Sequence, residues 1–544
     1  MMKPLFVAID AKYIHTNNAV RLLKANTSFD ADILEFTIKD DPNTMAHRIM
    51  EKNPLFVGFS SYIWNIEIIK ELIKVLKYKA DIPVILGGPE VSYDSAHFLN
   101  ETQADLIVKG EGEHVIDDIT RHFKYGNSLK TTPSIHTREI NNPIKEIEDL
   151  TTLKSPHTFA FDIPHLKNRI AYVESSRGCP YKCSYCISSL EKTVRFFDIN
   201  QVKDTILYLI NNGVHAFKFL DRTFNANNDA LDIIDFILTN HKKNNVFQFE
   251  MTGDTLNENI IDYIHENAPK GLFRFEIGIQ STHPLTNRLV GRHQNNERLF
   301  RVIRKIVSHD IIDLHLDLIA GLPEENLERF RQSFNDVFAL GAKELQLGFL
   351  KMLRGTAIRH EAKQYEYVFD TEAPYEIISN HVLSKQDLST IRKVENMLEI
   401  FHNKNYFGKT LMKIIHALTF DSFSFFLELY NSYQENHLPL RGYQLHELYA
   451  FIESFLEKKG VKQEQLDELK HHYLKRFKTK PKLYFPKITD KKLRRTLIHI
   501  LADKTGLSEN TLYKHTIITR YKTGYMAATY QNHAVMIHTI EKPK

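Results

Sequence analysis

The sequence contains only three cysteines in 544 residues, and all three lie within eight positions of one another. So few cysteines, in an odd number, exclude a disulfide framework and fit a reducing compartment. No uninterrupted apolar run approaches the roughly 20 residues that a membrane span needs. The first ten residues have too short an apolar core and no small-residue cleavage pattern, which excludes a secretory signal. We therefore expect a cytoplasmic protein without a membrane partner.

Acidic residues are scarce in one part of the chain. Between residues 456 and 522, 18 Lys and Arg stand against 7 Asp and Glu, a local charge of +11, whereas the remainder carries −7. Such a run is typical of a solvated helical face, and it also suits an anionic partner. The composition, 42% hydrophobic and 25% charged, predicts a globular chain. Its length predicts about three domains.

The cysteines form the spacing C-x3-C-x2-C, with thiols at Cys179, Cys183 and Cys186. Three clustered thiolates suit a [4Fe–4S] cluster in which one iron is left open for another ligand, because such clusters normally take four Cys ligands. A zinc knuckle is one alternative, but zinc would want a fourth Cys or His, and none lies within the motif. Three buried thiols are the other alternative. The spacing favours the cluster.

Short apolar runs separated by helical stretches characterise residues 1–125. The run Ile66-Ile69-Leu72-Ile73-Leu76 has the periodicity of an amphipathic helix. Strands that alternate with such helices predict a flavodoxin-like, doubly wound α/β domain with a parallel sheet. The predicted strands are Leu5 to Ile9, Ile33 to Phe36, Leu55 to Phe59, Val84 to Leu86 and Leu106 to Val108.

Ligands of such sheets bind beyond the carboxyl ends of the strands. Glycines occur there, and they let the backbone approach a bulky ligand. The candidate ligand-binding residues at these ends are Lys12, His15, Ser60, Ser61, Gly87, Gly88, Glu111 and Gly112.

The run Arg177-Gly178-Cys179-Pro180-Tyr181-Lys182-Cys183-Ser184-Tyr185-Cys186 closely resembles the motif of the radical S-adenosylmethionine (SAM) enzymes. Ahead of it, about residues 3 to 125 resemble the cobalamin-binding domain of the cobalamin-dependent members of that superfamily. That resemblance is carried by the Asp10-x-Lys12-Tyr13-x-His15 start, the Gly87-Gly88-Pro89 turn and the Gly110-Glu111-Gly112-Glu113 loop. It implies bound cobalamin. The alternative is a nucleotide-binding or other flavodoxin-like domain, since this fold hosts many ligands.

One departure bears on the cobalt. Domains that ligate it through a protein imidazole use Asp-x-His-x-x-Gly, and position 12 is Lys. A protonated lysine has no free lone pair. We therefore expect no protein imidazole beneath the cobalt, and His15 is either a corrin contact or an ordinary loop histidine.

Residues 126–168, with Pro133, Pro143, Pro156 and Pro164 among polar residues, predict a linker. Residues 169–355 follow with six further strand and helix alternations, too few for an eight-fold barrel. They match the partial (βα)6 barrel of the radical SAM fold. The predicted strands are Ile170 to Glu174, Ala216 to Leu220, Val246 to Glu250, Leu272 to Ile279, Ile312 to Ile319 and Glu344 to Leu350.

The resemblance also implies contacts to SAM. Tyr185 occupies the position of an aromatic residue near the adenine. Gln280 and Arg292 lie in a segment similar to that of the oxygen-independent coproporphyrinogen dehydrogenases, where they hold the ribose and methionyl groups. Asp317 and Glu250 match acidic contacts to ribose. Asp221 corresponds to an amine contact, although Leu220-Asp221-Arg222 departs from the Gly-Gly-Glu of many members.

Residues 356–544 predict a mainly helical domain that resembles an extension of unknown function. Leu388, Ile391, Val394, Leu398 and Phe401 lie on one face of a helix. The aromatic stripe from Phe420 to Tyr433 is more typical of a core than of a substrate box. Short strands are predicted at Lys482 to Phe485 and within Gly524 to Ile540.

Two classes of function follow. The favoured one is a radical SAM enzyme that methylates an unactivated carbon with cobalamin as second cofactor, or else catalyses a rearrangement, cyclisation or redox reaction. The other is a noncatalytic cobalamin sensor or RNA-binding protein, which would not need Gln280, Arg292 and Asp317. The catalytic residues are not identified by the sequence. An electron donor such as flavodoxin or ferredoxin and an anionic substrate are the expected partners, with RNA less favoured.

Overall fold

The computed structural model describes residues 2–419 and 421–543. The chain divides into two compact units. The first comprises Met1–Phe330 with Gly348–Leu388, and the second comprises Arg331–Leu347 with Ser389–Lys544.

The first unit begins with a doubly wound α/β domain. Its strands are β1 (Pro4–Asp10), β2 (Asp32–Thr37), β3 (Phe56–Ser60), β4 (Val84–Gly87), β5 (Leu106–Val108) and β6 (Ile135–His136). The helices are α1 (Asn18–Asn26), α2 (Pro42–Glu51), α3 (Ile66–Lys79), α4 (Pro89–Ser92), α5 (Ser95–Glu101) and α6 (Ile116–Tyr125). The strand order is β2-β1-β3-β4-β5-β6, with β1 to β5 parallel and β6 antiparallel. The five predicted strands are confirmed.

Two apolar clusters cover the two faces of this sheet. Phe6 and Ala8 pack on one face, whereas Leu5, Val7 and Ile9 pack on the other. Alternating side chains of a strand point to opposite faces, so a parallel strand with helices on both sides is apolar throughout. Strand β6 lies inside the predicted linker, and its Ile135 is fully buried in the second cluster. The packing of the first domain therefore extends beyond residue 125.

Residues 169–355 form an open parallel sheet. The strands of this region are β7 (Ile170–Val173), β8 (Ser176–Arg177), β9 (Arg195–Phe196), β10 (Ala216–Phe219), β11 (Val246–Met251), β12 (Phe273–Gln280), β13 (Asp313–Ala320) and β14 (Glu344–Phe349). The sheet has the order β14-β13-β12-β11-β10-β7, and β8 and β9 form a separate antiparallel pair. Strands β7 and β14 are the two edges of the sheet, so the described sheet is a partial barrel. The helices are α7 (Ile199–Asn211), α8 (Ala230–Asn240), α9 (Glu258–Asn267), α10 (Pro284–Leu289), α11 (Asn296–His309) and α12 (Leu327–Phe338).

The barrel strands separate apolar from polar side chains. Phe217, Phe247 and Phe273 are buried on one face, and the first two of these rings stack with centroids 4.3 Å apart. Lys218 and Gln248 lie on the opposite face and are half-buried. This alternation places a polar surface on the inner side of the barrel.

After β14 the chain forms an irregular segment, Leu350–His381, which we call the strap. It contains α13 (Ala357–His360), β15 (Val368–Phe369) and β16 (Ile377–Ser379). It belongs to the first unit.

The second unit is mainly helical and ends in an antiparallel sheet. The chain enters it through α14 (Lys385–Leu398) and a π-helical turn at Glu399–Asn403. Its helices are α15 (Gly408–Leu418), α16 (Ser422–Glu435), α17 (Leu445–Lys458), α18 (Gln463–Arg476), α19 (Lys491–Thr505) and α20 (Glu509–His515). Its sheet is formed by β17 (Thr516–Tyr521), β18 (Gly524–Gln531) and β19 (Ala534–Ile540).

The predictions for the C-terminal region have mixed outcomes. The apolar face of α14 and the turn after it is buried, and Phe423, Phe425 and Phe426 of α16 are core residues, as the aromatic stripe predicted. Phe420 lies outside the described residues. The strands within Gly524 to Ile540 are confirmed, but the strand predicted at Lys482 to Phe485 is wrong: this segment is irregular. Tyr484 and Phe485 instead pack their rings near Tyr473 of α18.

Among the described residues, no single helix has both the length and the apolar character to cross a bilayer. Helices α15 and α16, joined by a bend of 110°, meet that test only as a pair.

Candidate functional site

A cavity of about 760 Å³ opens at the carboxyl ends of β3, β4 and β5. This volume falls within the roughly 300–1,000 Å³ typical of cofactor sites. One wall is apolar and comes from the N-terminal domain, including Phe6, Phe56 and Ile85. The other wall is charged and includes Arg177, which lies two residues before Cys179. The cavity therefore adjoins residues 177–186, which carry the three cysteines and which we call the cysteine loop.

Three glycines that line the cavity pack closely against neighbouring parts of this domain. A Cβ at Gly58 would lie 3.3 Å from the Phe6 ring, and one at Gly112 would lie 3.0 Å from Leu23. Gly88, with φ of +111°, approaches the Ser61 carbonyl so closely that a Cβ would lie only 2.5 Å from its oxygen. Asn18 adds a buried Oδ1 atom for which the described residues supply no hydrogen-bond partner. A cavity with one apolar wall and an unmatched polar atom fits a large cofactor such as cobalamin.

The predicted cobalamin contacts divide into two groups. Ser60, Gly87, Gly88, Glu111 and Gly112 line the cavity. Ser61 is fully buried behind Gly88, and Lys12 is exposed to solvent.

His15 faces the barrel. Its Nδ1 atom lies 2.7 Å from the Tyr172 hydroxyl, and its backbone bridges to Ile170 at the start of β7. This placement joins the first loop of the N-terminal domain to the first barrel strand, and it accounts for His15 without a ligand. The lower coordination of cobalt stays a prediction.

The cysteine loop is held by tight backbone contacts. Gly178 has φ of +90°, and a Cβ there would lie 2.3 Å from the Thr193 carbonyl oxygen, so only glycine fits. Cys183 is buried, whereas Cys179 and Cys186 are half-buried and all three thiols are free. Burial raises the pKa of the Cys183 thiol, and the nearby Arg292 charge opposes that shift. A cationic neighbour favours the thiolate, the form that binds iron.

Gln280 is aimed by a bulge in β12. The register shifts between Gly278 and Gln280, and Gln280 has a positive φ of +68°. A bulge of this kind redirects a side chain. The Gln280 Oε1 atom is buried without a hydrogen-bond partner among the described residues, which suits a residue that waits for a ligand.

Arg292 and Tyr185 lie beside the same bulge and the cysteine loop. Arg292 donates to the Gly278 carbonyl and, at 2.9 Å, to the Gln294 amide oxygen. Burial raises the pKa of Tyr185, and Cys183 and Arg292 are among the charges that surround it. The structure thus brings together Cys183, Tyr185, Gln280 and Arg292.

Two acidic candidates lie on the polar face of the barrel and already have partners. Glu250 lies 3.4 Å from Arg222 and 3.7 Å from Lys218. Asp317 lies 3.1 Å from His315 Nε2. Burial raises the pKa of Asp317, although His315 opposes this shift. A ribose hydroxyl would therefore meet each carboxylate in competition with a basic neighbour.

Asp221 follows β10, and its side chain contacts the segment just before the cysteine loop. It is buried, and its carboxylate accepts from the Ser175 amide at 3.0 Å and the Ser176 hydroxyl at 2.6 Å. Burial raises its pKa to about 6, against the hydrogen bonds from Ser175. This geometry supports a role in fixing the chain before the cysteine loop, which differs from the amine contact that the family pattern implies.

A charged bridge that the sequence analysis missed joins the two domains. Arg177 donates to Glu111 at 2.9 Å and to Glu113 at 2.8 Å, and Arg195 donates to Glu111 at 2.8 Å. Glu174 adds a further contact to Arg177 at 3.1 Å. The only signal in the sequence was the pair of acidic residues in the Gly110-Glu111-Gly112-Glu113 loop, which does not indicate a partner 66 or 64 positions away.

Together, an open parallel barrel with a cysteine triad after its first strand and a doubly wound domain with a large cavity define a class, the radical SAM enzymes that carry a second cofactor domain. Comparison with known families agrees. Residues 5–120 match the B12 binding domain and residues 173–337 match the radical SAM superfamily. Residues 363–537 match a protein family of unknown function, DUF4080.

The chain thus carries a B12 binding domain followed by a radical SAM domain, as its motifs predicted. The cofactors of these two domains are a [4Fe–4S] cluster with SAM, and cobalamin. The fold class and the helical C-terminal region are confirmed.

Individual relatives are distant. The chain is 22% identical over 323 residues to the cobalamin-dependent radical SAM methyltransferase TokK from Streptomyces tokunonensis, covering 55% of this chain and 47% of that one. The chain spans about half the length of such curated relatives.

Two solved structures share the fold. The methyltransferase TsrM from Kitasatospora setae, with cobalamin and a [4Fe–4S] cluster, aligns with a TM-score of 0.60 at 16% identity, over 71% of this chain and 82% of that one. The cobalamin-dependent radical enzyme OxsB with aqua-cobalamin aligns with a TM-score of 0.61 at 12% identity, over 87% and 79%.

The bulge supplies a test of the SAM site. In Gly278→Ala the new Cβ would lie 2.2 Å from Gln280 Nε2, so the Gln280 side chain must move. We expect SAM affinity to fall about tenfold, the worth of one buried hydrogen bond, while the iron content stays unchanged. Equilibrium SAM binding to the reconstituted protein measures this. Gly348→Ala, whose closest new contact is 3.4 Å, is the matched control, and undiminished binding by Gly278→Ala would contradict the Gln280 assignment.

Proposed function

We propose that the protein is a cobalamin-dependent SAM methyltransferase that methylates an unactivated carbon. The observation that carries the proposal is the shared wall of the cofactor cavity. Arg177 belongs to the cysteine loop region, and it bonds to Glu111 and Glu113 of the B12-binding domain. A site at which a radical source and a methyl carrier adjoin can bring both to one substrate, and proximity is then the main contribution of the protein.

The residues have separate tasks in this proposal. When bound, the reduced cluster and SAM supply a 5′-deoxyadenosyl radical, and cobalamin supplies a methyl group. Cys179, Cys183 and Cys186 hold the cluster. Gln280 and Arg292 orient the methionyl and ribose groups of SAM, with Tyr185 beside them.

The remaining candidate residues would bind the ribose of SAM or line the cobalamin cavity. Glu250 and Asp317 accept from ribose hydroxyls, which a carboxylate does well. The apolar wall with Phe6 and Ile85 excludes water from the cavity, and Gly88 and Gly112 let the backbone approach the ligand.

The test is the stoichiometry of turnover. One methylation consumes two SAM and two electrons: one SAM gives its methyl group and leaves S-adenosylhomocysteine, and the other is cleaved to methionine and 5′-deoxyadenosine, which takes the substrate hydrogen. We expect roughly equal amounts of the two nucleoside products, with labelled methyl from SAM in the product. A search for labelled product in metabolite and RNA fractions would identify the substrate.

The same measurement separates the alternatives. If 5′-deoxyadenosine forms without methyl transfer, the reaction is a rearrangement, cyclisation or redox reaction instead. If neither product forms from SAM in the reduced, reconstituted protein, the chain is a noncatalytic sensor.

We further propose an anionic substrate and a small electron donor such as flavodoxin or ferredoxin, in the cytoplasm. The substrate charge is supported by the basic segment between residues 456 and 522, where Lys459, Lys470 and Lys522 pair with carboxylates but others are exposed. The exposed basic residues include Lys475, Lys478, Lys482, Lys487, Lys491, Lys492 and Arg495. Substrate binding that is insensitive to salt would count against this charge-based role.

A further inference from the structure

The strap, Leu350–His381, contacts three parts of the first unit. Tyr375 reaches Glu90 of α4. The Ile358 amide donates to the Ser184 carbonyl in the cysteine loop at 3.0 Å. The Tyr367 hydroxyl donates to the Gly321 carbonyl, just beyond β13, at 2.9 Å. The strap therefore contacts the wall of the cobalamin cavity, the cysteine loop and the end of β13, the strand that carries Asp317.

The contact at the cavity wall is a buried polar cluster. Glu90, Arg354 and Tyr375 are 3%, 6% and 0% exposed. The Tyr375 hydroxyl donates to the Glu90 carboxylate and accepts from Arg354 Nε at 2.9 Å. Arg354 also donates to Asp94, ahead of α5. Buried polar groups of this kind hold a geometry firmly only while every member is satisfied.

Helix α4, which carries Glu90, is held between two supports. On one side Gly88 abuts the Ser61 backbone, and on the other side lies the polar cluster with Arg354. Gly88, Pro89 and Tyr93 of this stretch line the cavity. A Cβ added at Gly355 in the strap would lie only 2.3 Å from Tyr93 Cβ, so the strap backbone packs directly against this wall.

We propose that the strap sets the position of the cobalamin cavity wall, with Tyr375 and Arg354 as positioning residues that act through Glu90. Part of the strap lies in the family of unknown function, so the inference assigns a task to that part. It rests on the cobalamin site described above and is independent of the reaction that the enzyme performs.

The test is the cobalamin affinity of Tyr375→Phe in the full chain. This variant keeps the ring and removes only the hydroxyl that joins Arg354 to Glu90. We expect aqua-cobalamin to bind about tenfold more weakly, the effect of one buried acceptor left without its donor. Arg354→Lys, which keeps the charge but loses the planar fork, should shift affinity in the same direction.

The single tryptophan supplies the readout. Trp64 stacks on Tyr62 with centroids 4.3 Å apart, and Tyr62 lines the cavity, so quenching of its fluorescence reports binding without turnover. Tyr367→Phe is the matched control, because it removes a hydroxyl at the other end of the strap. We expect its cobalamin affinity to stay within about twofold of the wild type.

Two results would overturn the inference. One is unchanged cobalamin affinity in Tyr375→Phe while the wild type binds, whether or not the melting temperature of the cobalamin-free variant falls. The other is equal weakening in Tyr375→Phe and Tyr367→Phe, since it would indicate general destabilisation. Failure of the wild type to bind cobalamin would remove the cofactor assignment itself, and a binding protein without methyl transfer would remove only the proposed reaction.

Discussion

Anaerobic reconstitution of Cys179→Ala, Cys183→Ala or Cys186→Ala is expected to give protein without a four-iron cluster and without SAM cleavage. Each thiol in the triad is needed because these are the only cysteines in the chain, so no other thiol can replace a lost one. The iron content should fall from about four per chain to background, and 5′-deoxyadenosine should become undetectable. Iron and sulfide analysis with absorbance spectra measures the first effect, and product chromatography measures the second.

Ser184→Ala is the control for this experiment. Ser184 lies between two of the ligands, and its backbone amide bonds to Val290 at 2.9 Å whichever side chain is present. We expect this variant to keep its cluster. A cluster with unchanged spectra after loss of any one cysteine would show that the assigned ligand set is wrong.

Loss of the Arg177 guanidinium should be the most damaging change outside the cysteines. Its side chain is 11% exposed and contacts Glu111, Glu113 and Glu174. In Arg177→Met these carboxylates lose a buried cation, which typically costs about 3–5 kcal/mol of folding free energy. Denaturant unfolding at several pH values, with the cobalamin-free protein, measures the loss.

The pH dependence identifies the cause. Burial alone would raise the pKa of Glu111, but the hydrogen bond from Arg195 and the charge of Arg177 lower it below its ordinary value. A carboxyl with a lowered pKa stabilises the fold above its unfolded pKa and loses that contribution as the pH falls. The difference between wild type and Arg177→Met should therefore be largest near pH 7 and shrink toward pH 4.

Arg138→Met serves as the control for charge. Arg138 donates to the carbonyl oxygens of Leu99, Thr102 and Ala104, and these groups do not titrate. Its loss should cost stability equally at all these pH values. A pH-independent loss in Arg177→Met would mean that the carboxylates are stabilised by other groups.

The strands of both α/β domains could be predicted because local signals suffice for them. Val246–Met251 alternates apolar and polar residues along one strand, and Leu106–Val108 is a short apolar run between helices. The cysteine loop is equally local, since its three thiols lie within eight positions. The strand prediction was wrong where a short apolar run had a different cause. Lys482 to Phe485 has the pattern of a strand, but its aromatic residues Tyr484 and Phe485 pack against Tyr473 of α18 in an irregular segment.

The bridge and the strap could not be predicted for the opposite reason. Arg177 and Glu111 are 66 positions apart, and Tyr375 and Glu90 are 285 positions apart. Such pairs depend on how whole domains meet, and nothing in the neighbouring sequence marks one partner for the other. Asp221 is a case in which the local sequence suggested a ligand contact. In the structure, its carboxylate oxygens accept hydrogen bonds from Ser175 and Ser176, which the motif order did not indicate.

The match to the family of unknown function begins at residue 363, inside the strap, and runs on to residue 537. The first compact unit, however, ends at Leu388. Any truncation or domain exchange in this chain must take account of the difference between these two boundaries. A chimaera that exchanges the C-terminal domain at residue 363 would replace Tyr375 with a foreign residue, whereas a junction after Leu388 would leave the cofactor wall intact. The matched family therefore spans the second half of the strap together with most of the helical domain, although these two segments belong to different compact units.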